Sequence, residues 1–260
     1  MDIIIFSGQS NMQGQCDRLS DDSIVEGAYE YKFLSDSLAP LKNPVGENIK
    51  KDYTEGYTYT DGTDQDEWLR DHLFGAACYG HTNLVPKFCE EYHRITGREV
   101  LAVHAAKGST EIVDWLPEGD CYEALLKKVK AAKKLVNAEH IFLVWLQGES
   151  DAIEGRSKEF YKARLELLNK LLKEELGLEK FGVIRVGRFT MDTRDDEIIT
   201  AQDEVCAEND DFIMLTRIAS DMINQSEYMH PNIHGHFGAA GLEKLGEVAG
   251  KTLAEVSINN

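Results

Sequence analysis

Five short apolar runs, at residues 2–6, 99–103, 140–145, 182–187 and 212–216, punctuate the chain with amphipathic stretches between them. Each is continuous in hydrophobicity rather than alternating, which is the pattern of a strand buried on both faces in a parallel sheet. The segments Asn83–Thr96, Tyr122–Val136, Lys158–Leu176 and Asp195–Glu208, with Ala239–Val256 closing the chain, carry apolar residues at helical spacing. Strands and helices alternating at these lengths predict right-handed crossovers and an α/β fold, a central parallel five-stranded sheet covered by helices on both faces. The 260 residues, 42% of them hydrophobic, suffice for one large core, so a single domain over 1–260 is expected.

The stretch from about 17 to 73 breaks the pattern, being rich in Asp, Gly and Tyr and without a sustained period. A long irregular insertion in a compact domain is more often functional than idle. Tyr53, Tyr57, Tyr59 and Trp68 in it either offer flat faces for a sugar or pin the loop to the body.

Charge narrows the partners. Forty-six acidic against 28 basic residues leave a net charge of −18, which repels nucleic acid and anionic membrane surfaces. No apolar stretch approaches membrane-spanning length, and neither a basic region nor a cleavage site precedes the first run, so a cytoplasmic location is expected. The five cysteines, Cys16, Cys78, Cys89, Cys121 and Cys206, are scattered without C-x-x-C spacing and are expected to be reduced.

Chemistry concentrates where apolar runs end, the edge at which open α/β sheets build their sites. The first run ends in Gly8-Gln9-Ser10-Asn11-Met12, placing the Ser10 hydroxyl after a tight turn and at the start of a helix whose free N–H groups suit an oxyanion. A serine there is also an ordinary turn or cap residue. The second glycine of G-x-S-x-G is missing, so the turn is not an α/β-hydrolase elbow. A serine nucleophile needs a base, and His236, at the entrance to the last helix, is the leading one of eight histidines; capping is its alternative role. His230, His234 and His236 also have an alternating spacing that invites zinc, but no H-E-x-x-H or cysteine pair accompanies them, and no metal is expected.

Two further strand ends supply partners. After the third run comes Trp145-Leu146-Gln147-Gly148-Glu149-Ser150-Asp151, where the Gln147 amide can serve an oxyanion and Glu149 or Asp151 can orient a histidine, or simply favour a helix N-terminus. After the second comes His104-Ala105-Ala106-Lys107-Gly108-Ser109-Thr110, where Gly108 lets backbone approach a ligand and offers its N–H.

With these four elements in view, the chain resembles the SGNH hydrolase superfamily, in its sialate O-acetylesterase-like and carbohydrate acetylesterase branch. Gly8–Met12, Ala106–Thr110, Trp145–Asp151 and His236–Gly246 carry the resemblance, in family order across nearly the whole chain. It implies a flavodoxin-like, three-layer α/β/α fold and a cofactor-independent serine esterase that removes acetyl groups from carbohydrates such as acetylated sialic acid or xylo-oligosaccharides. Carried over by position, it implies Ser10 as nucleophile, His236 as base, and an oxyanion hole from the Ser10 and Gly108 N–H groups with the Gln147 side chain. Many relatives have an aspartate three residues before the catalytic histidine, where this chain has Ile233. Glu149 then becomes the first candidate acid and Asp221 the second, while Glu227 with His230 forms a rival pair of the right spacing. Asn11 and Arg188 are candidate substrate contacts, a surface salt bridge being the other reading of Arg188. The alternatives are an SGNH lipase or thioesterase on acyl chains, and a carbohydrate-binding protein on the same scaffold.

Overall fold

The computed structural model describes residues 1–16, 18–46 and 81–259. Tyr53, Tyr57, Tyr59, Trp68 and Cys78 lie outside these residues. In chain order the elements are β1 (Asp2–Gly8), α1 (Ser10–Gln13), β2 (Ala28–Lys32), β3 (Ser37–Pro40), α2 (Val85–Thr96), β4 (Val100–Ala106), α3 (Asp120–Ala132), β5 (Ile141–Leu146), α4 (Glu149–Ile153), α5 (Lys158–Leu176), β6 (Lys180–Ile184), α6 (Thr193–Glu208), β7 (Phe212–Thr216), α7 (Ala219–Met222) and α8 (Ala239–Asn259). A 3-10 turn, Ile112–Trp115, follows β4.

The sheet order is β3-β2-β4-β1-β5-β6-β7, with every pairing parallel except β2 with β3. Among the described residues, seven strands therefore stand where five were expected. The five apolar runs are all there; the additional β2 and β3 fall inside the stretch that seemed irregular. Strand β2 is hidden in the sequence because it reads Ala-Tyr-Glu-Tyr-Lys yet is largely buried. Its two charged side chains neutralise each other, Lys32 Nζ lying 3.0 Å from Glu30 Oε2, and both bond Gly46. The fourth run is shorter than its hydrophobicity suggests: β6 ends at Ile184, and Val186 N–H leaves the sheet to donate to the Gln202 side chain at 2.9 Å.

Helices cover both faces. On one, Phe88 of α2 meets Phe6 of β1 edge to face at 5.1 Å, and α8 lies against α2 and the β6–β7 side. On the other, Trp115 meets Trp145 of β5 edge to face at 5.5 Å beneath α3, α5 and α6. Burying one such aromatic or large aliphatic side chain contributes about 1.5–3 kcal/mol. Cys16, Cys89 and Cys121 are buried and Cys206 is half-buried. Among the described residues no helix is long and apolar enough to cross a membrane.

The chain runs from β1 through β4 on one side of β1 and returns on the other side with β5, so the topological switch falls beside β1. That is where an open α/β sheet leaves a crevice at its carboxyl edge.

Candidate active site

Register brings three of the four motifs together. Gly8, the last residue of β1, pairs with Ala106 of β4 on one side and Leu146 of β5 on the other. The residues two places beyond each strand, Ser10, Gly108 and Gly148, thus emerge side by side. Gly8 must be glycine: its φ is +141°, and a Cβ there would lie 2.0 Å from the Leu146 carbonyl oxygen. The chain then turns straight into α1, whose first residue is Ser10. A Cβ on Gly108 would sit 3.5 Å from Ser10 Cβ, so the second motif approaches the serine closely.

Ser10 is mostly buried, and among the described residues its hydroxyl and its backbone N–H have no hydrogen-bond partner. An unengaged N–H at the start of a helix is a donor waiting for an oxyanion. The Gly108 N–H is close by but donates to Gln13 Oε1 at 3.0 Å. Gln13, one turn after Ser10 on the same short helix, was not singled out in the sequence; its place three residues beyond the serine is the signal.

Gln147 does not serve the oxyanion in this arrangement. It is fully buried, and its Nε2 faces Thr110 O at 2.8 Å, Asp151 Oδ2 at 2.6 Å and Gln9 Oε1 at 3.2 Å. The Tyr161 hydroxyl of α5 lies 2.9 Å from its carbonyl, and Gln202 of α6 donates to that carbonyl at 2.8 Å. Gln147 is a bolt between motifs. Asp151, likewise fully buried, accepts Ile112 N–H at 3.0 Å and so ties β5 to the 3-10 turn. Burial pushes its carboxyl up to about 7.

The histidine loop reaches α1 through Asn11. Asn11 Nδ2 donates to Gly235 O at 3.2 Å and its Oδ1 accepts Phe237 N–H at 3.1 Å, so one amide grips the backbone on both sides of His236. The same Nδ2 donates to Glu149 Oε1 at 2.9 Å. Asn11 is 3% exposed with its amide engaged, which corrects its expected role as a substrate contact.

His236 Nδ1 donates to the His234 carbonyl at 2.9 Å, leaving Nε2 unprotonated in the neutral ring. Burial, aided by the neighbouring His230 and His234, lowers its pKa below the ordinary imidazole value, the His234 carbonyl partly opposing. The Phe189 ring stands edge-on to it at 6.1 Å. Glu149, the first candidate acid, does not bond His236: its Oε1 receives Asn11, and its buried Oε2 has no partner among the described residues. Its pKa is raised by burial, with Asp195 adding to the effect.

The other candidates go elsewhere. His230 Nδ1 accepts the N–H groups of Asn232 and Ile233 at 3.1 and 3.0 Å, so this ring nitrogen organises the loop. Asp221 and Glu227 are exposed, and neither carboxylate bonds a histidine among the described residues. In place of a bond to Glu227, His230 Nδ1 is taken by the turn at 231–233. Arg188 pairs with Asp196 of α6, the salt-bridge reading. Among the described residues no three His, Cys, Asp or Glu side chains gather to hold a metal. A cavity of 420 Å³ opens beside the histidine loop, lined by Met191, Ile223, Met229 and Ile233 along with His230 and His234.

Residues 77–255 match the family described as carbohydrate esterase, sialic acid-specific acetylesterase, a stretch that includes the second, third and fourth motifs and lies beyond Ser10. A probable carbohydrate esterase of Arabidopsis thaliana is 31% identical over 84 residues, which make up 32% of this chain and 32% of that protein. A crystal structure of an Arabidopsis thaliana protein aligns over 100% of this chain and 98% of its own at 17% identity, with a TM-score of 0.67. A carbohydrate acetylesterase from Xanthomonas citri aligns over 100% of this chain and 57% of its own at 13% identity, with a TM-score of 0.61. At these identities the structural likeness establishes the fold, which is the α/β/α arrangement expected from the sequence.

Proposed function

The chain belongs to the carbohydrate esterase family described as sialic acid-specific acetylesterase, and from that premise we propose that it is a serine esterase removing O-acetyl groups from carbohydrate hydroxyls, such as those of sialic acid. In this reading Ser10 Oγ attacks the acetyl carbonyl while His236 Nε2 takes its proton. The tetrahedral oxyanion is met by the Ser10 N–H, and by the Gly108 N–H once Gln13 Oε1 gives way to it. Losing one donor of this kind typically costs about 2.7–4 kcal/mol of barrier. The imidazolium then returns the proton to the departing sugar oxygen, leaving acetyl-Ser10. Water activated by the same nitrogen completes hydrolysis.

The third member of the array is the His234 carbonyl. By accepting Nδ1–H at 2.9 Å it holds the tautomer that a base needs, the part an aspartate plays in many relatives. The observation that carries the proposal is the Asn11 grip, because the residue next to the candidate nucleophile is bonded to both neighbours of the candidate base.

The test is Ser10→Ala assayed on an aryl acetate and on an acetylated sugar. Both activities should disappear while the melting temperature holds; wild-type turnover in the variant refutes the mechanism. Met191, Ile223, Met229 and Ile233, which share the lining of the 420 Å³ cavity with His230, Asn232 and His234, support a second reading, hydrolysis of longer acyl esters. A series of aryl esters from acetate to octanoate decides between them, acetate being preferred under the first reading.

A further inference from the structure

Glu149 and Asn11 form a buried pair that the proposed chemistry does not consume. Asn11 follows Ser10 on α1, Glu149 opens α4 beyond β5, and both are nearly inaccessible, at 3% and 4% exposure. The bond between them, 2.9 Å from Asn11 Nδ2 to Glu149 Oε1, fixes which way the amide faces. With Nδ2 committed to an acceptor on the Glu149 side, Oδ1 is turned to Phe237 N–H, and the remaining amide proton meets Gly235 O. A flipped amide would set oxygen against two acceptors and nitrogen against a donor.

We infer that Asn11, oriented by Glu149, is a positioning residue that sets the His236 ring against Ser10. The inference rests on the reading of Ser10 as nucleophile and His236 as base. It gives Glu149 a part distinct from that of a triad acid. Glu149 needs only an acceptor oxygen for this task, which a neutral carboxylic acid supplies as well as a carboxylate does. The groups facing Glu149 point the same way: Asn11 donates to it, and the nearby carboxylate is Asp195 of α6, which disfavours a second negative charge. Asp195 is itself buried and accepts the N–H groups of Phe189, Thr190 and Met191 at 3.1, 2.9 and 2.7 Å.

Two substitutions separate the roles. Asn11→Asp is isosteric and keeps an acceptor for Phe237 N–H, but replaces Nδ2 with an oxygen facing Gly235 O and Glu149 Oε1. Glu149→Gln keeps the acceptor for Asn11 and removes any charge. The assay is hydrolysis of an aryl acetate by full-length protein, with active sites counted by fluorophosphonate labelling of Ser10, so that kcat refers to labelled sites. Asn11→Asp should lower kcat per labelled site about 100-fold, the scale of a misplacement near 1 Å, with KM little changed. Glu149→Gln should keep kcat near the wild-type value, whereas Glu149→Ala should lose activity in the manner of Asn11→Asp.

A collapse of about 10⁴-fold in Glu149→Gln, the scale of losing a triad acid's charge, overturns the inference. So does an Asn11→Asp protein whose labelled fraction falls while kcat per labelled site stays constant, since that is a folding defect only. If Asn11→Asp does not fold, the contrast between Glu149→Gln and Glu149→Ala carries the test, and equal activities in these two refute it. Ser10→Ala run in parallel keeps the two ideas apart: activity surviving there sinks the nucleophile, whereas an inactive Ser10→Ala beside an unaffected Asn11→Asp sinks the positioning role alone.

Discussion

Replacing Asp151 with Asn should remove one pH-dependent contribution to the protein's stability, by an amount that can be worked out. Asp151 is fully buried, its Oδ2 holding Gln147 Nε2 and Ile112 N–H, its Oδ1 without a partner among the described residues. Burial is the main reason its pKa rises from 3.8 to about 7; the bonds from Gln147 and Ile112 and the charge of Arg156 pull the other way, while Glu111 adds to the rise. The folded protein therefore keeps a proton that the unfolded chain releases between those values. With more protons bound in the folded state, stability falls as pH rises through that window. The contribution is intact below 3.8 and lost above about 7, a change of about 4 kcal/mol for one carboxyl moved this far.

Asn has the shape of the protonated acid, keeps an acceptor for Gln147 and Ile112, and has no charge to bury at any pH. Urea unfolding of both proteins at several pH values from 4 to 8 measures the effect. The stability of Asp151→Asn relative to wild type should climb by up to about 4 kcal/mol across the series. His104 is also fully buried, its pKa lowered to about 3 by burial and by Lys128, and it works in the opposite sense: stability present above 6.5 is lost as pH falls. Because His104 is common to both proteins, it cancels in the difference. A difference that stays flat from pH 4 to 8 would show that Asp151 is ionised throughout and refute the argument from burial.

The pH dependence of activity should report His236: because burial lowers its pKa, the acid limb of kcat/KM should fall below 6.5, and a limb above 6.5 contradicts its assignment as base. Gly250→Ala on α8 sets helix propensity against packing. Propensity favours alanine by about 1 kcal/mol, but the new Cβ would lie 2.3 Å from the Phe88 carbonyl oxygen of α2, and overpacking costs about 1–3 kcal/mol. The urea midpoint should therefore drop at constant slope; a rise would mean that the two helices separate freely.

The sheet was legible because its strands are buried on both faces and so are written in unbroken hydrophobic runs. Strand β2 escaped because a buried Glu30–Lys32 pair looks like surface in a sequence. At the site, Ser10 and His236 stand out through their motifs, whereas their supporting bonds do not. The direction of the Asn11 amide depends on Gly235, Phe237 and Glu149, which are distant in sequence. Gln147 illustrates the converse: a residue in the right motif has its side-chain amide withdrawn by Gln9, the Thr110 carbonyl and Asp151, bonds between separate motifs that no periodicity announces.

The presence of Ile233 where an aspartate is usual becomes intelligible from the same bonds. An aspartate behind a histidine fixes the ring's tautomer, fixes its orientation and offsets the charge of the imidazolium. In the proposed mechanism the first task falls to the His234 carbonyl, which contributes a dipole rather than a charge. The second is shared by the Asn11 grip on residues 235 and 237 and by the edge of Phe189, whose own backbone N–H is held by Asp195. The third has no full-charge substitute in contact with the ring among the described residues, and burial further disfavours the imidazolium. Such a histidine is a weaker base than one backed by a carboxylate but remains neutral, and so competent to accept a proton, at lower pH. A carboxylate restored at position 233 should accordingly shift the acid limb of kcat/KM upward, provided the loop lets it reach Nδ1 in competition with the His234 carbonyl.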